Sequence, residues 1–295
     1  MVGSAIGDAL GCSFKGIWQR ESNIEDFCFS GRWTDDTHMM IGVAESLIEN
    51  RGLNADHLMK TFIRNWEAEP WRGYGPGPPK IFRLVKSGVS WREAARGLYG
   101  GQGSFGNGAA MRVAPVGLFY YDDYVEVLRE MAYRSAEVTH THELGKEGAA
   151  VQAYAVALAV KAERESFDPA EFLRKIADFA RNRVYREKLE RAIFMLDEDD
   201  RKRVVRGLGN TVEGFNSVPT AIYCFAKNYQ SYVGAVFYAV SLGGDTDTIG
   251  AMTGAIAGAY HGVDGIPRAW MEKLERFDYI KKLAEKLWEL KSSSI

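Results

Sequence analysis

The chain has 295 residues, 46% of them hydrophobic, which is enough for a large buried core and excludes a disordered chain. Its 37 Lys and Arg against 39 Asp and Glu leave a net charge of −2, arguing against a duplex nucleic-acid binder with its basic excess. Cys12, Cys28 and Cys224 are odd in number and form no CxxC pair, which disfavours a disulfide framework or a zinc finger and fits a reduced, cytoplasmic setting.

The first eleven residues carry Asp8 and no basic stretch, so they do not read as a signal peptide. Short β pieces are admissible only around Phe27–Trp33. Met40, Val43, Ala44, Leu47 and Ile48 follow a helical period that ends near Asn50 and Gly52. Leu58–Trp66 reads as the next helix. A Gly- and Pro-rich loop, Trp71–Pro79, follows it, and Trp91–Leu98 is a helix with Ser90 as its N-cap. After the glycine-rich stretch Gly100–Arg112 come helices over Tyr124–Ala136, Leu144–Ala162 and Ala170–Arg181, the last opened by Asp168-Pro169. The charged run Asp197–Arg206 reads as a solvated helix end or loop. Val218–Ala226, Val233–Leu242, Ile249–Tyr260, Pro267–Arg276 and Tyr279–Leu290 complete the helices. The apolar stretches Ala149–Val160 and Ile249–Tyr260 fall well short of the roughly 20 residues that span a bilayer. With no repeat and no linker, the expectation is one all-α domain over residues 1–295, a monomer with no nucleic-acid groove and no membrane partner.

Two acidic clusters open predicted helices: Thr34-Asp35-Asp36-Thr37, and Gly243-Gly244-Asp245-Thr246-Asp247-Thr248. Either alone is explained by N-capping and the helix dipole. Capping uses one side chain, however, and each cluster carries two carboxylates flanked by hydroxyls. Oxygen-only donors without nearby His or Cys favour Mg²⁺, Mn²⁺ or Ca²⁺, and four carboxylates balance two divalent ions. Neither cluster has EF-hand spacing, and Asp35-Asp36-Thr37-His38-Met39 lacks the final Asp of a DDxxD diphosphate motif.

Residues 101–106 match GxGxxG, but a helix precedes them, so the dinucleotide-fold reading fails. Two readings stay open for this loop: backbone N–H groups and a helix starting near Ala109 holding a phosphate, or a tight turn with left-handed glycines. Tyr99 and Phe105 flank the loop and offer an aromatic sandwich for a flat ring. His140 and His142 stand two apart, which would not share a helix face and weakens a zinc reading; His38, His57 and His261 show no ligand spacing.

Gly7-Asp8-Ala9-Leu10-Gly11, the TDDT at Thr34–Thr37, GSFGNGAAMR at Gly103–Arg112, THTH at Thr139–His142, and GGDTDTIGAMTGAIAGAYHG at Gly243–Gly262 occur in this order. Together they resemble the ADP-ribosylglycohydrolase family, along nearly the whole chain. The resemblance implies an all-α fold with two Mg²⁺ or Mn²⁺ ions held by Thr34, Asp35, Asp36, Asp245, Asp247 and Thr248. It implies ADP-ribose in the cleft, with Gly103, Ser104, Phe105, Gly106, Asn107 and Gly108 holding the diphosphate and distal ribose. His140, rather than His142, would contact the ligand, and Tyr99 and Phe105 would hold adenine. The implied activity is hydrolysis of the glycosidic bond between ADP-ribose and a protein side chain or small conjugate, the partner being ADP-ribose or an ADP-ribosylated protein. Such a reaction passes through an oxocarbenium-like state, and either Asp35 or Asp36 would serve as general base. The alternative is a catalytically silent, crystallin-like binder of ADP-ribose. It is motivated by Lys15, which stands where many members carry a Glu that in some of them contacts a metal. Ser104 stands where arginine-directed bacterial members tend to be acidic, which leans toward serine-directed members or free ADP-ribose derivatives.

Overall fold

Small residues decide which helices meet at the centre of the molecule. The computed structural model describes residues 1–14 and 29–293. Among them it forms α1 (Val2–Phe14), α2 (Asp35–Asn50), α3 (Ala55–Ala68), α4 (Gly77–Lys86), α5 (Trp91–Arg96), α6 (Ala114–Phe119), α7 (Val125–Glu137) and α8 (Glu143–Lys161). The chain continues with α9 (Pro169–Phe179), α10 (Arg183–Phe194), α11 (Arg201–Leu208), α12 (Gly214–Lys227), α13 (Tyr232–Ser241), α14 (Thr246–His261), α15 (Arg268–Lys273) and α16 (Phe277–Ser292). The expected all-α class holds. No strand occurs among the described residues, the only β feature being an isolated bridge between Gly106 and Glu213. Residues 29–33 are irregular rather than β, and Phe27, Cys28 and Lys15 lie outside the described residues.

α14 is the central element, packed against α1, α8, α12 and α13. Gly3, Gly7 and Gly11 of α1 face Gly250, Gly254 and Thr246 of α14 with backbone against backbone. A β-carbon on Gly250 would lie 2.5 Å from the Gly7 carbonyl oxygen, and one on Gly3 2.5 Å from that of Gly254. The Thr246 hydroxyl locks the pair by donating to the Gly11 carbonyl at 2.8 Å. α2 touches both members of this pair and rests on α3, α6 and α16. A hydrophobic core containing Ile6, Leu10, Met40, Val43, Phe62, Val151, Val218, Ile249 and Ile280 fills the space between the helices. No helix among the described residues is long and apolar enough to cross a membrane.

Capping chemistry sets several of the boundaries. Ser90 accepts from the Glu93 N–H at 3.2 Å, and Asp168 from those of Ala170 and Glu171 at 2.8 and 3.1 Å, both as expected. Three expectations are corrected. The loop expected over Trp71–Pro79 ends at Gly77, because Pro78 and Pro79 sit in the first turn of α4, where a missing N–H costs nothing. The helix expected near Ala109 is a three-residue 3₁₀ turn, Asn107–Ala109, and α6 starts only at Ala114. The helix expected over Pro267–Arg276 shrinks to Arg268–Lys273, because Leu274 is extended (φ −64°, ψ 125°), and Arg276, left-handed at φ 56°, precedes α16.

Candidate active site

The two acidic clusters come together through a fifth carboxylate, Asp8 of α1, which is fully buried. Its oxygens accept from the Thr34 N–H (3.0 and 3.1 Å), the Thr37 N–H (3.0 Å), the Thr34 hydroxyl (2.8 Å) and the Thr37 hydroxyl (2.6 Å). Asp8 thus pins the first turn of α2 onto α1, and the glycine contact sets α1 against α14, which carries Asp247. The sequence reading quoted Asp8 within a motif without giving it a role. Its signal was there: a lone carboxylate amid Ala, Ile, Leu and Gly, with no basic residue in reach along the helix.

Thr34 is the N-cap of α2, and its oxygen accepts from the Asp36 N–H at 3.3 Å. Asp36 is buried, with one carboxylate oxygen 3.1 Å from the Thr34 hydroxyl and 3.5 Å from that of Thr248; its other oxygen is buried with no hydrogen-bond partner. Burial, then the charges of Asp8, Asp247, Asp35 and Asp245, hold the Asp36 carboxyl well above the usual carboxylate range. Burial also raises Asp8 to about 6, against its four hydrogen bonds. Asp35 is half-buried, and a β-carbon on Gly73 would lie 3.8 Å from its Oδ1.

Asp245 occupies the N-cap position of α14 without capping it. Its carboxylate instead accepts from Asn107 Nδ2 at 2.6 Å, and its N–H donates to the Asn210 carbonyl at 2.8 Å. Capping therefore accounts for Thr34 and not for Asp245. The Asn107–Asp245 bond joins the acidic clusters to the glycine loop. The Asn107 N–H donates to the Val212 carbonyl, so residues 210–213 strap the loop to the start of α14. Asn210 had no distinguishing sequence signal.

Within the loop, Gly100, Gly101 and Gly103 have φ of 71°, 90° and 74°, which makes the left-handed-turn reading true of its geometry. Ser104 is buried and accepts from the Gly106 N–H at 3.2 Å. The His140 ring lies beneath the loop: a β-carbon on Gly108 would sit 2.9 Å from its Cε1, and one on Gly106 3.6 Å from its Nε2. His140 Nδ1 is 2.7 Å from the Thr139 hydroxyl, and burial, then Arg112, pushes its pKa down to about 3. His142 instead caps α8, accepting from the Leu144 N–H at 3.1 Å. Phe105 packs on the rings of His142 and Phe215, at 5.4 and 6.2 Å between centroids. Tyr99, at φ 50°, is 56% exposed, which leaves its face open to a planar ligand.

Thr34, Asp35, Asp36, Asp245, Asp247 and Thr248 offer oxygen alone, and the unpartnered oxygen of Asp36 faces a surplus of negative charge; this donor chemistry fits a hard divalent cation. As the side chains stand, no three His, Cys, Asp or Glu among the described residues gather tightly enough to hold an ion.

A family model described as ADP-ribosylglycohydrolase matches residues 1–294. The chain is 35% identical to the ADP-ribosylhydrolase ARH3 of Bos taurus over 292 residues, covering 89% of this chain and 80% of that one. It is 24% identical over 314 residues to the ADP-ribosylarginine hydrolase Tri1 of Serratia proteamaculans, covering 98% of this chain and 77% of the other. A solved structure titled ADP-ribosylglycohydrolase-related protein complex superposes with a TM-score of 0.73 at 26% identity, covering 98% of this chain and 95% of the other.

Proposed function

The chain belongs to the ADP-ribosylglycohydrolase family, and from that premise we propose that it hydrolyses the bond joining ADP-ribose to a side-chain oxygen or a small O-linked conjugate, using divalent cations. The observation that carries the reading is the meeting of Asp8, Asp36, Asp245 and Asp247 from three helices, bonded through Asn107 to a loop suited to a nucleotide. In this reading Thr34, Asp35, Asp36, Asp245, Asp247 and Thr248 hold two Mg²⁺ or Mn²⁺ ions. When bound, such ions lower the pKa of a water and fix the distal ribose hydroxyls.

The chain's own residues do the rest. Asp35, half-buried beside Gly73, also accepts the proton of the attacking water, whereas the buried Asp36 serves as a ligand alone. The backbone of Gly103–Gly108 takes the diphosphate. His140 stays uncharged and presents Nε2 to the ligand, its Nδ1 being held by Thr139. Tyr99 and Phe105 stack on adenine. Ser104, and the lower identity (24% against 35%) to the relative named for ADP-ribosylarginine, support O-linked over N-linked substrates.

The test is a panel of O-linked and N-linked ADP-ribose conjugates, each with Mg²⁺, with Mn²⁺ and with a chelator. Release of ADP-ribose from O-linked conjugates, lost with the chelator, is expected. No release from any conjugate under any cation overturns the proposal. The silent-binder alternative predicts ADP-ribose binding without turnover; its motive, Lys15, lies outside the described residues.

A further inference from the structure

Three segments far apart in sequence meet behind Asp35: Gly31–Trp33, Glu69–Gly73 and Leu274–Arg276. Arg72 is their common member, its side chain only 10% exposed. Its guanidinium donates to both oxygens of Glu275 (2.8 and 2.6 Å), to Glu69 (2.6 Å) and to the carbonyl of Trp33 (3.3 Å). It also lies 3.6 Å above the Trp33 ring. Trp33 Nε1 donates to the Glu275 carbonyl at 2.9 Å, the Glu275 N–H donates to the Gly31 carbonyl at 3.0 Å, and Arg276 pairs with Glu69. The arrangement has two exits toward the acidic clusters. Trp33 runs directly into Thr34, the cap of α2. Gly73, next to Arg72, lies against Asp35, and Tyr74 after it bonds through its hydroxyl to His38 of α2 at 2.9 Å.

We propose that Arg72 is a positioning residue, clamped by Glu275, that fixes the Trp33–Asp36 segment and the Gly73 backbone around Asp35, and so makes the C-terminal residues Glu275 and Arg276 part of the catalytic apparatus. The proposal rests on the hydrolase reading above. A planar fork is required, because two parallel bonds to one carboxylate and a stacked face on Trp33 are used together, and a lysine ammonium supplies neither. Arg129 is a matched buried arginine elsewhere. It pairs with Glu147 at 3.4 Å, donates to the Phe179 carbonyl at 2.5 Å, and lies 3.7 Å above the Phe179 ring.

The experiment compares the full-length wild type with Arg72→Lys, Glu275→Gln and Arg129→Lys. The readouts are kcat and KM on an O-linked ADP-ribosyl peptide with Mg²⁺, the thermal midpoint, and amide exchange over residues 33–37. Misplacing catalytic groups by about 1 Å costs about 10²-fold in rate. Arg72→Lys and Glu275→Gln are therefore expected to lower kcat by about that factor with KM unchanged, and to speed exchange over residues 33–37. Arg129→Lys is expected to lower the midpoint comparably while leaving kcat and that exchange as in wild type. If Arg72→Lys keeps wild-type kcat and local exchange while melting earlier, its role is structural and the proposal fails. If the wild type itself releases no ADP-ribose, the hydrolase reading fails, and the exchange data alone decide whether Arg72 holds the segment.

Discussion

Among the described residues Asp8 touches no basic side chain, yet it accepts from two backbone N–H groups and two hydroxyls at the start of α2. Truncation would strand three of these donors in the interior, since the Thr34 hydroxyl also reaches Asp36, at about 1–3 kcal/mol for each that finds no new partner. Asp8→Ala is therefore expected to lose at least about 3 kcal/mol in denaturant unfolding, and its hydrolysis with it. Asp247, at the other end of the contact, has a different expected profile. Asp247→Ala should keep the wild-type helical circular dichroism, abolish ADP-ribose release and weaken Mg²⁺ in calorimetry; full activity would contradict a ligand role. Asp35→Asn should lower kcat by about 10²–10⁴-fold while ADP-ribose still binds, the range typical of a lost general base. At this scale the sequence was readable where chemistry is unusual, as in paired carboxylates beside hydroxyls. It was unreadable for Asn210 and Arg72, whose contributions come from partners distant in the chain.

The helix pair α1 and α14 shows why element-level reading succeeded in some places and failed in others. Ser90 and Asp168 were legible because a cap depends on its own next three residues. α1 was not legible. Three glycines in thirteen residues depress helix propensity, and only the backbone contact with α14 compensates. α4 was hidden by the prolines that start it. The same contact yields a prediction. A methyl group on Gly250 meets the Gly7 carbonyl, so the backbones must separate. Overpacking of this kind costs about 1–3 kcal/mol, and the separation also carries Asp8 away from Asp247. Gly250→Ala is expected to lower the melting temperature and to lose activity beyond what the lost stability explains, as measured on protein still folded at the assay temperature.

For the molecule as a whole, a net charge of −2 conceals a buried acidic centre that is costly without cations. Asp8, with a pKa rising from 3.8 to about 6, and Asp36, shifted the same way, retain protons in the folded state that the unfolded chain has released. Their contribution to stability therefore falls as pH rises from about 4 through about 6. Buried His38 and His140, lowered to about 4 and about 3, act oppositely over pH 4–6.5, with or without cations. The difference between the two conditions isolates the carboxylates. The gain in melting temperature on adding Mg²⁺ should be larger at pH 8 than at pH 5, because protons compete with the cation. An equal gain at both values would exclude Asp36 as a ligand. The bond from Thr246 to Gly11 spans 235 positions and joins the helix that carries Asp8 to the helix that carries Asp247. Loop closure over such a span is slow and follows local helix formation. The acidic centre therefore exists only once α1 and α14 have docked, and a chain in which they have not docked is expected to be inert, however many of its other helices have formed.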